Sequence, residues 1–348
     1  MNKQLEVAAI DVGFGTTCVA SEITGEHCYY HCFPSRAVKV NPSELKRLES
    51  FGTTQRNTVL VNIDGSSYEV GPGVLSKAAD ANERLLNKRY ISSPAYKALF
   101  VGGLSLLKTD CIDLLVAGLP LNQLDRKDEL LDFMIGEHHV DGRVIRVKQA
   151  HVLPQPLGAL TYHAKSEAKK MNCGIMEALG NRARVTVDPG YGTTDFLTSI
   201  GLTIDEERTK AFELGQGKIL RSLSTYLSEA LGTSIGPELV DKAFDTKKLE
   251  IFAETYDFPV ADDVFDCLPL IDSLCNEAVD LLTNMLGEAS DIQEFIVSGG
   301  PAPDFARALE RAFPRHTVKL VEKHEVAVCL GFAELARQIA GVNSNKVA

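Results

Sequence analysis

The sequence predicts an α/β protein made of two related halves. Strand-like and helix-like runs alternate along the chain, the signature of that class. Asp188 to Phe196 reads Asp-Pro-Gly-Tyr-Gly-Thr-Thr-Asp-Phe and follows the strand-like run Arg184–Val187. An in-register partner lies near the start, where Ile10 is followed by Asp11-Val12-Gly13-Phe14-Gly15-Thr16-Thr17. Both carry Asp-x-Gly-(Phe/Tyr)-Gly-Thr-Thr, and 188 minus 11 puts them 177 residues apart. A third Gly-rich turn, Ser298-Gly299-Gly300-Pro301-Ala302, again follows an apolar strand, Phe295–Val297.

The chain runs to 348 residues, which suggests about two domains. With 45% hydrophobic and 24% charged residues it has enough apolar material for sizeable cores. A net charge of −11 argues against direct nucleic-acid binding by phosphate neutralisation, though not against DNA reached through an adaptor. No run approaches the ~18 apolar residues needed to span a bilayer. The first residues lack a signal-peptide core, so the expectation is a cytoplasmic protein with no membrane partner. The eight cysteines are scattered, and in that compartment they read as reduced, mostly buried thiols. Cys28 and Cys32 lie among His27 and His31, but the alternation Cys28, Tyr30, Cys32 reads as a strand rather than a zinc site.

In chain order, Leu5–Ile10 is a buried strand. Cys18–Ala20 and His27–Phe33 form a hairpin around the polar Thr24-Gly25-Glu26, closed by Pro34-Ser35-Arg36. The more polar stretch from Asn41 to about Tyr90 is an inserted subdomain, with a hairpin through Thr58–Asn62 and Tyr68–Val70 and a helix over Lys77–Asn87. Pro94–Leu107 is a helix, Cys111–Pro120 one central parallel strand, and Asp125–Glu137 a helix. Asp141-Gly142 turns a hairpin, Val144–Val152 is a strand, and a crossover helix runs from Gly158 to about Met171. In the second half, Leu197–Thr203 and Lys210–Glu213 are strands, and Gly215-Gln216-Gly217 opens a helix through Leu231. Glu238–Val260 is a second small subdomain and Val264–Leu286 a helix. After the third turn come a helix over Phe305–Phe313, a strand over Val318–Val321, a helix over Glu325–Ile339 and a frayed tail from Gly341.

The chemistry follows from the turns. Glycine lets backbone amides approach an anion closely, so amides from Gly13 to Thr16 and from Gly190 to Thr193 suit phosphate oxygens, with the Thr16 and Thr193 hydroxyls beside them. Pro189 removes one such donor. Asp11 and Asp188 suit a hydrated Mg²⁺, a hard cation that keeps waters and takes few carboxylates. For a single turn the alternative is structural punctuation with capping hydroxyls; the duplication favours two halves facing one polyphosphate. Asp195 reads equally as a local cap.

With these three turns in this order the chain resembles the actin, sugar-kinase and heat-shock-chaperone ATPase superfamily. Asp11–Thr17 and Asp188–Asp195 match its two phosphate loops and Ser298–Ala302 its adenosine loop. Leu153–Ala159 and Glu325–Leu335 match its two connecting helices. Within it the chain is most similar to the plasmid-segregation actins of the ParM/StbA type and their archaeal relatives, through its compact length, its opening motif and Phe33-Pro34-Ser35. The resemblance implies an actin-like fold of two ribonuclease-H-like domains around a nucleotide cleft. Domain I would span 1–157 plus 325–348, with an insert at about 34–92; domain II would span 158–324, with an insert at about 217–262. It implies ATP (or GTP) with Mg²⁺, head-to-tail filaments, ATP hydrolysis, and plasmid segregation through a DNA-binding adaptor. Asp11 and Asp188 would organise the metal. Gln155 would position the attacking water; its other reading is a polar turn residue between two prolines. Gly13, Phe14, Gly15, Thr16 and Thr17, and Gly190, Tyr191, Gly192, Thr193 and Thr194, would hold phosphates. Gly299, Gly300 and Ala302 would meet the adenosine, with Lys218 at the base or ribose unless it is simply a solvated lysine. A small-molecule kinase and a nucleotide switch that does not polymerise are the other functions this fold supports. The kinase lacks an evident catalytic Asp.

Overall fold

The computed structural model describes residues 6–23, 27–41, 43, 57–74 and 90–347. The chain packs as two units, Met1–Gly180 with Glu322–Ala348, and Asn181–Val321. The first unit begins with β1 (Val7–Val12), β2 (Thr16–Ile23) and β3 (His27–Pro34), an antiparallel meander. Three short strands, β4 (Val38–Val40), β5 (Val59–Ile63) and β6 (Ser66–Val70), form a separate sheet in the first insert. Helix α1 (Pro94–Ser105) is capped by the Ser93 hydroxyl, which accepts from the Tyr96 amide at 3.1 Å, and Pro94 supplies a preset φ at its first turn. Then come β7 (Cys111–Ile112), β8 (Leu114–Leu119), α2 (Lys127–Met134), β9 (Gly136–Val140), β10 (Arg143–Val147) and β11 (Ala150–Pro154). Strands β8 and β11 join β1 in parallel, giving the order β11-β8-β1-β2-β3. Every residue of β8 is buried, as a central parallel strand requires. Helices α3 (Gln155–Met171) and α4 (Ile175–Leu179) close this stretch.

The second unit repeats the pattern. Strands β12 (Ala183–Pro189) and β13 (Thr194–Ile200) form a hairpin, extended by the short β14 (Thr203–Ile204) and by β15 (Lys210–Phe212) on β13. Helices α5 (Gln216–Leu231) and α6 (Pro237–Thr246) follow, then the two-stranded hairpins β16 (Lys248–Ile251)–β17 (Glu254–Asp257) and β18 (Val260–Ala261)–β19 (Phe265–Asp266). Helix α7 (Leu268–Leu286) leads to β20 (Glu294–Val297), α8 (Ala302–Ala312) and β21 (Thr317–Leu320). Both β20 and β21 are parallel additions to β12, so β21-β20-β12-β13-β15 has the same sequence of partnerships as β11-β8-β1-β2-β3. The physical division is the same in each. A short Gly-rich turn can join only antiparallel neighbours, whereas each parallel addition needs a long crossover.

Helix α9 (Ala327–Val347) returns to the first unit. It crosses α3 at glycine on glycine: a Cβ on Gly331 would lie 1.8 Å from the Gly158 carbonyl oxygen. Val328, Phe332 and Ala336 then bury against Ala9, Val116 and Ala159. Close contact of α3 with α9 places α3 in the first unit. The two packing units meet at 180/181 in the chain, and the sequence expectation places the domain boundary at 157/158.

Several expected elements differ. The single strand over Cys111–Pro120 breaks at Asp113. The Asp113 amide donates to the Glu6 carbonyl at 2.8 Å, and its carboxylate accepts from the Glu6 amide and from Lys148. Periodicity cannot see such a break, because both sides are apolar. Val144–Val152 divides likewise into β10 and β11, which lie in different sheets. The helix expected over Asp125–Glu137 stops at Met134, where β9 begins at Gly136 with φ +125°. The helix expected from Val264 starts at Leu268, because Phe265–Asp266 pairs back onto β18. The tail expected to fray continues α9 to Val347. The helix expected over Lys77–Asn87 lies outside the described residues. The cysteines are not all reduced: Cys18 and Cys32 stand opposite each other on β2 and β3, with Cα atoms 4.1 Å apart, and form a disulfide. Among the described residues no cluster of three or more metal-ligating side chains occurs, and no helix is long and apolar enough to cross a membrane.

Candidate functional site

The two duplicated turns adopt the same hydrogen-bonded geometry. In the first unit the Gly13 amide donates to the Thr16 carbonyl at 3.0 Å, with Val12 opposite Thr17 and Asp11 opposite Cys18. In the second the Gly190 amide donates to the Thr193 carbonyl at 2.8 Å, with Pro189 opposite Thr194 and Asp188 opposite Asp195. Each pair of contacts is offset by the 177 residues that separate the motifs. The Gly13 and Gly190 amides are therefore taken within the turns. The sequence expectation has these two amides facing a ligand; in the structure each closes its own turn. Pro189 costs no such donor, because it stands in the strand.

Thr17 and Thr194 also serve structure. Both are fully buried. Ser35 gives its hydroxyl proton to the Gly13 carbonyl at 2.6 Å, so the Thr17 hydroxyl, 2.8 Å away, is the donor to Ser35. The Thr194 hydroxyl donates to the Leu214 carbonyl. Thr16 is exposed and Thr193 is 9% exposed. Phe14 and Tyr191, both expected at the phosphates, use their rings for packing. Phe14 stacks on Tyr90 with centroids 4.5 Å apart, and the Tyr191 ring sits where a Cβ on Gly217 would come within 2.8 Å.

Each turn is braced from outside. The Ser35 amide donates to the Gly15 carbonyl at 2.8 Å, and the Tyr90 hydroxyl donates to the Gly13 carbonyl at 3.2 Å. Ser35 and Tyr90 thus grip the first turn from near the two ends of the first insert. In the second unit the Gln216 and Gly217 amides, at the start of α5, donate to the Gly190 and Tyr191 carbonyls at 2.9 and 2.8 Å. A Cβ on Gly215 would come within 2.6 Å of both carbonyls, which is why Gly215-Gln216-Gly217 opens this helix. Neither Tyr90 nor the brace function of Ser35 was foreseeable from spacing. Tyr90 lies 77 residues from Gly13 at the end of a polar stretch.

The third turn packs on the second. The Ser298 hydroxyl donates to Asp188 Oδ1 at 2.7 Å and its amide to the Val187 carbonyl at 2.9 Å. Gly299 adopts φ +91°, and a Cβ there would lie 2.3 Å from the Pro189 carbonyl oxygen. Only glycine lets the two turns close up. Asp188 is 8% exposed, and burial pushes its carboxyl up to about 6, with the Ser298 hydroxyl pulling the other way. Gly300 faces the Gln216 side chain, whose Nε2 donates to Asp241 at 3.2 Å. Ala302 begins α8 and is fully buried. Lys218 forms an ion pair with Glu277 at 2.7 Å, a partner its sequence context did not suggest.

In the first unit Gln155, the first residue of α3, donates through Nε2 to Asp11 Oδ1 at 2.7 Å. A Cβ on Gly118 would lie 2.8 Å from Gln155 Cγ and 2.4 Å from the Phe332 ring, so glycine at the end of β8 makes room for this side chain. The structure thus joins Asp11 to Gln155 in one unit, and Asp188 to the third turn in the other.

Residues 9–158 match the family model of actin-like protein N-terminal domains. No curated protein matches the sequence. Among solved structures, the archaeal actin homologue Ta0583 superposes with a TM-score of 0.72 at 20% identity, over 96% of this chain and 100% of that one. Its complex with ADP superposes at 0.69 and 19% identity, over 96% and 100%. A subunit of a 15-stranded ParM filament from Clostridium botulinum superposes at 0.73 and 18% identity, over 97% and 100%. The chain has the actin-like fold over nearly its whole length.

Proposed function

We propose that this actin-like chain is an ATP-binding ATPase of the ParM type that assembles head to tail into filaments and segregates DNA through an adaptor. The observation that carries the nucleotide is the repeated turn: the same hydrogen bonds, in both units, at the ends of strands bearing Asp11 and Asp188. The amides of residues 14–16 and 191–193 and the hydroxyls of Thr16 and Thr193 bind phosphate oxygens. Gln155 gives its N–H to Asp11 and so presents its carbonyl oxygen as an acceptor for a water proton, orienting that water. Gly299 and Gly300 form the surface for the adenosine, with Gln216 and the Lys218–Glu277 pair beside the ribose or base; Ala302, expected there, is fully buried and only anchors the turn to α8.

The residues fit a magnesium ion. Asp188 is a desolvated carboxylate whose raised pKa a neighbouring cation would lower, the kind of hard oxygen ligand that Mg²⁺ takes while keeping its waters. Bound Mg²⁺ would offset negative charge on the phosphates. The likeness to a ParM filament subunit and to an ADP-bound homologue supports assembly and nucleotide binding. The net charge of −11 supports an adaptor in place of direct DNA contact. Phosphate release in Mg-ATP, with pelleting and electron microscopy of the same sample, tests the reading. Turnover without acceptor and filaments that depend on ATP are the expected results. Unchanged hydrolysis by Asp188→Ala would refute the site, and turnover only with an added sugar would make the chain a kinase.

A further inference from the structure

We propose that the tip of the β16–β17 hairpin, centred on Phe252, is the knob by which one copy of this chain docks on the β21 edge of the next. The proposal rests on the filament reading above and names the surfaces that reading needs.

Phe252 is 94% exposed, whereas the next most exposed large apolar side chain among the described residues, Met176, reaches only 60%. Its backbone sits at φ +55°, a left-handed conformation that costs a bulky residue energy and that glycine or asparagine would adopt more easily. An aromatic held there in water gains nothing within the chain. The stem is well anchored: Leu249 is fully buried, and Ile251 and Tyr256 pack on the core of the second unit. The tip is therefore a fixed aromatic on a firm support, the kind of side chain that dominates protein interfaces.

Charge selects the occupant. Residues 237–266 hold nine Asp or Glu against three Lys, a net −6 out of −11 for the whole chain, and Glu250 and Glu254 flank the tip. The stretch 311–321 is the opposite, with Arg311, Arg315 and Lys319 and no acidic residue. It contains β21, which ends the sheet order and pairs with β20 alone among the described strands. Lys319 is exposed, and Leu320 is 46% exposed beside it. Arg311 is already paired with Asp272 and Glu250 with Lys242, so the matching charges are Arg315 and Lys319 around the apolar spot on the open strand edge and Glu254 beside the aromatic knob. The two surfaces are different patches of one chain, so the contact is heterologous. A docked pair still has one knob and one edge unused, and assembly stays open-ended.

The test uses the full chain in Mg-ATP. Phe252→Ser should raise the critical concentration for pelleting by about ten- to a hundredfold, the range for losing one buried aromatic, with ATP binding unchanged. Leu320→Ser and Lys319→Glu should raise it as well. The decisive measurement mixes the variants. Phe252→Ser and Leu320→Ser each keep one intact surface, so an equimolar mixture should sediment as dimers without forming filaments. A mixture that stays monomeric while both variants bind ATP overturns the pairing. Wild-type assembly by Phe252→Ser overturns the knob while leaving the filament reading intact. A wild-type chain that hydrolyses ATP but stays monomeric at every concentration overturns both.

Discussion

Replacing Asp188 by Asn should stabilise the ligand-free protein while abolishing ATP turnover. Asp188 is buried, and its folded pKa is about 6 against an ordinary 3.8. The folded chain therefore holds this proton more tightly than the unfolded chain does. Stability from the group is fully present below about pH 4, falls as pH rises towards 6, and stays low above that. At about 1.4 kcal/mol per pH unit, the ionised carboxylate costs about 3 kcal/mol at pH 8. Asn keeps an oxygen to accept from Ser298 at the same place and has no charge to desolvate. For a unit the size of Asn181–Val321, 3 kcal/mol corresponds to a melting shift of about 6–12 °C. Differential scanning calorimetry should show the Asn variant melting higher by that amount at pH 8, with the gap closing at pH 4. Mg-ATP should raise the wild-type transition more than the variant's, because in the wild type the cation also compensates the buried charge. A variant that melts with the wild type at pH 8, or a gap that widens on acidification, would refute the argument.

Tyr90→Phe keeps the ring stack on Phe14 but loses the hydroxyl bond to Gly13, and should weaken ATP binding about fivefold, the worth of one hydrogen bond; Tyr90→Leu should weaken it further, and titration calorimetry reads both. Gly331→Ala should destabilise the first unit by about 3 kcal/mol or more in urea unfolding, because its Cβ would overlap the Gly158 carbonyl. Thiol titration of the denatured, unreduced protein should find six thiols, and eight after reduction. Cys267, Cys275 and Cys329 should not react in the native state, since burial shields them and pushes the first two thiols up to about 12.

Legibility in the sequence followed the range of the interactions. The repeated turns were readable because glycines, hydroxyls and a leading aspartate are all local requirements of one tight turn. The hairpins at Asp64-Gly65 and Asp141-Gly142 were readable for the same reason: all four residues take positive φ. Strand breaks at Asp113 and between β10 and β11 were not, because an apolar run looks the same whether it serves one sheet or two. The disulfide was hidden by distance. Cys18 and Cys32 become partners only once the register of β2 against β3 is set, and spacing alone gives no such register. The same limit decided what could be said of each threonine. Sequence presents Thr16-Thr17 and Thr193-Thr194 as equivalent pairs of hydroxyls. Strand alternation turns Thr17 and Thr194 inward to Ser35 and to the Leu214 carbonyl, while Thr16 stays exposed. A fully buried hydroxyl must find a bonding group within reach, and for Thr17 that group is Ser35, 18 residues away in sequence and beside it only across the β2–β3 pairing.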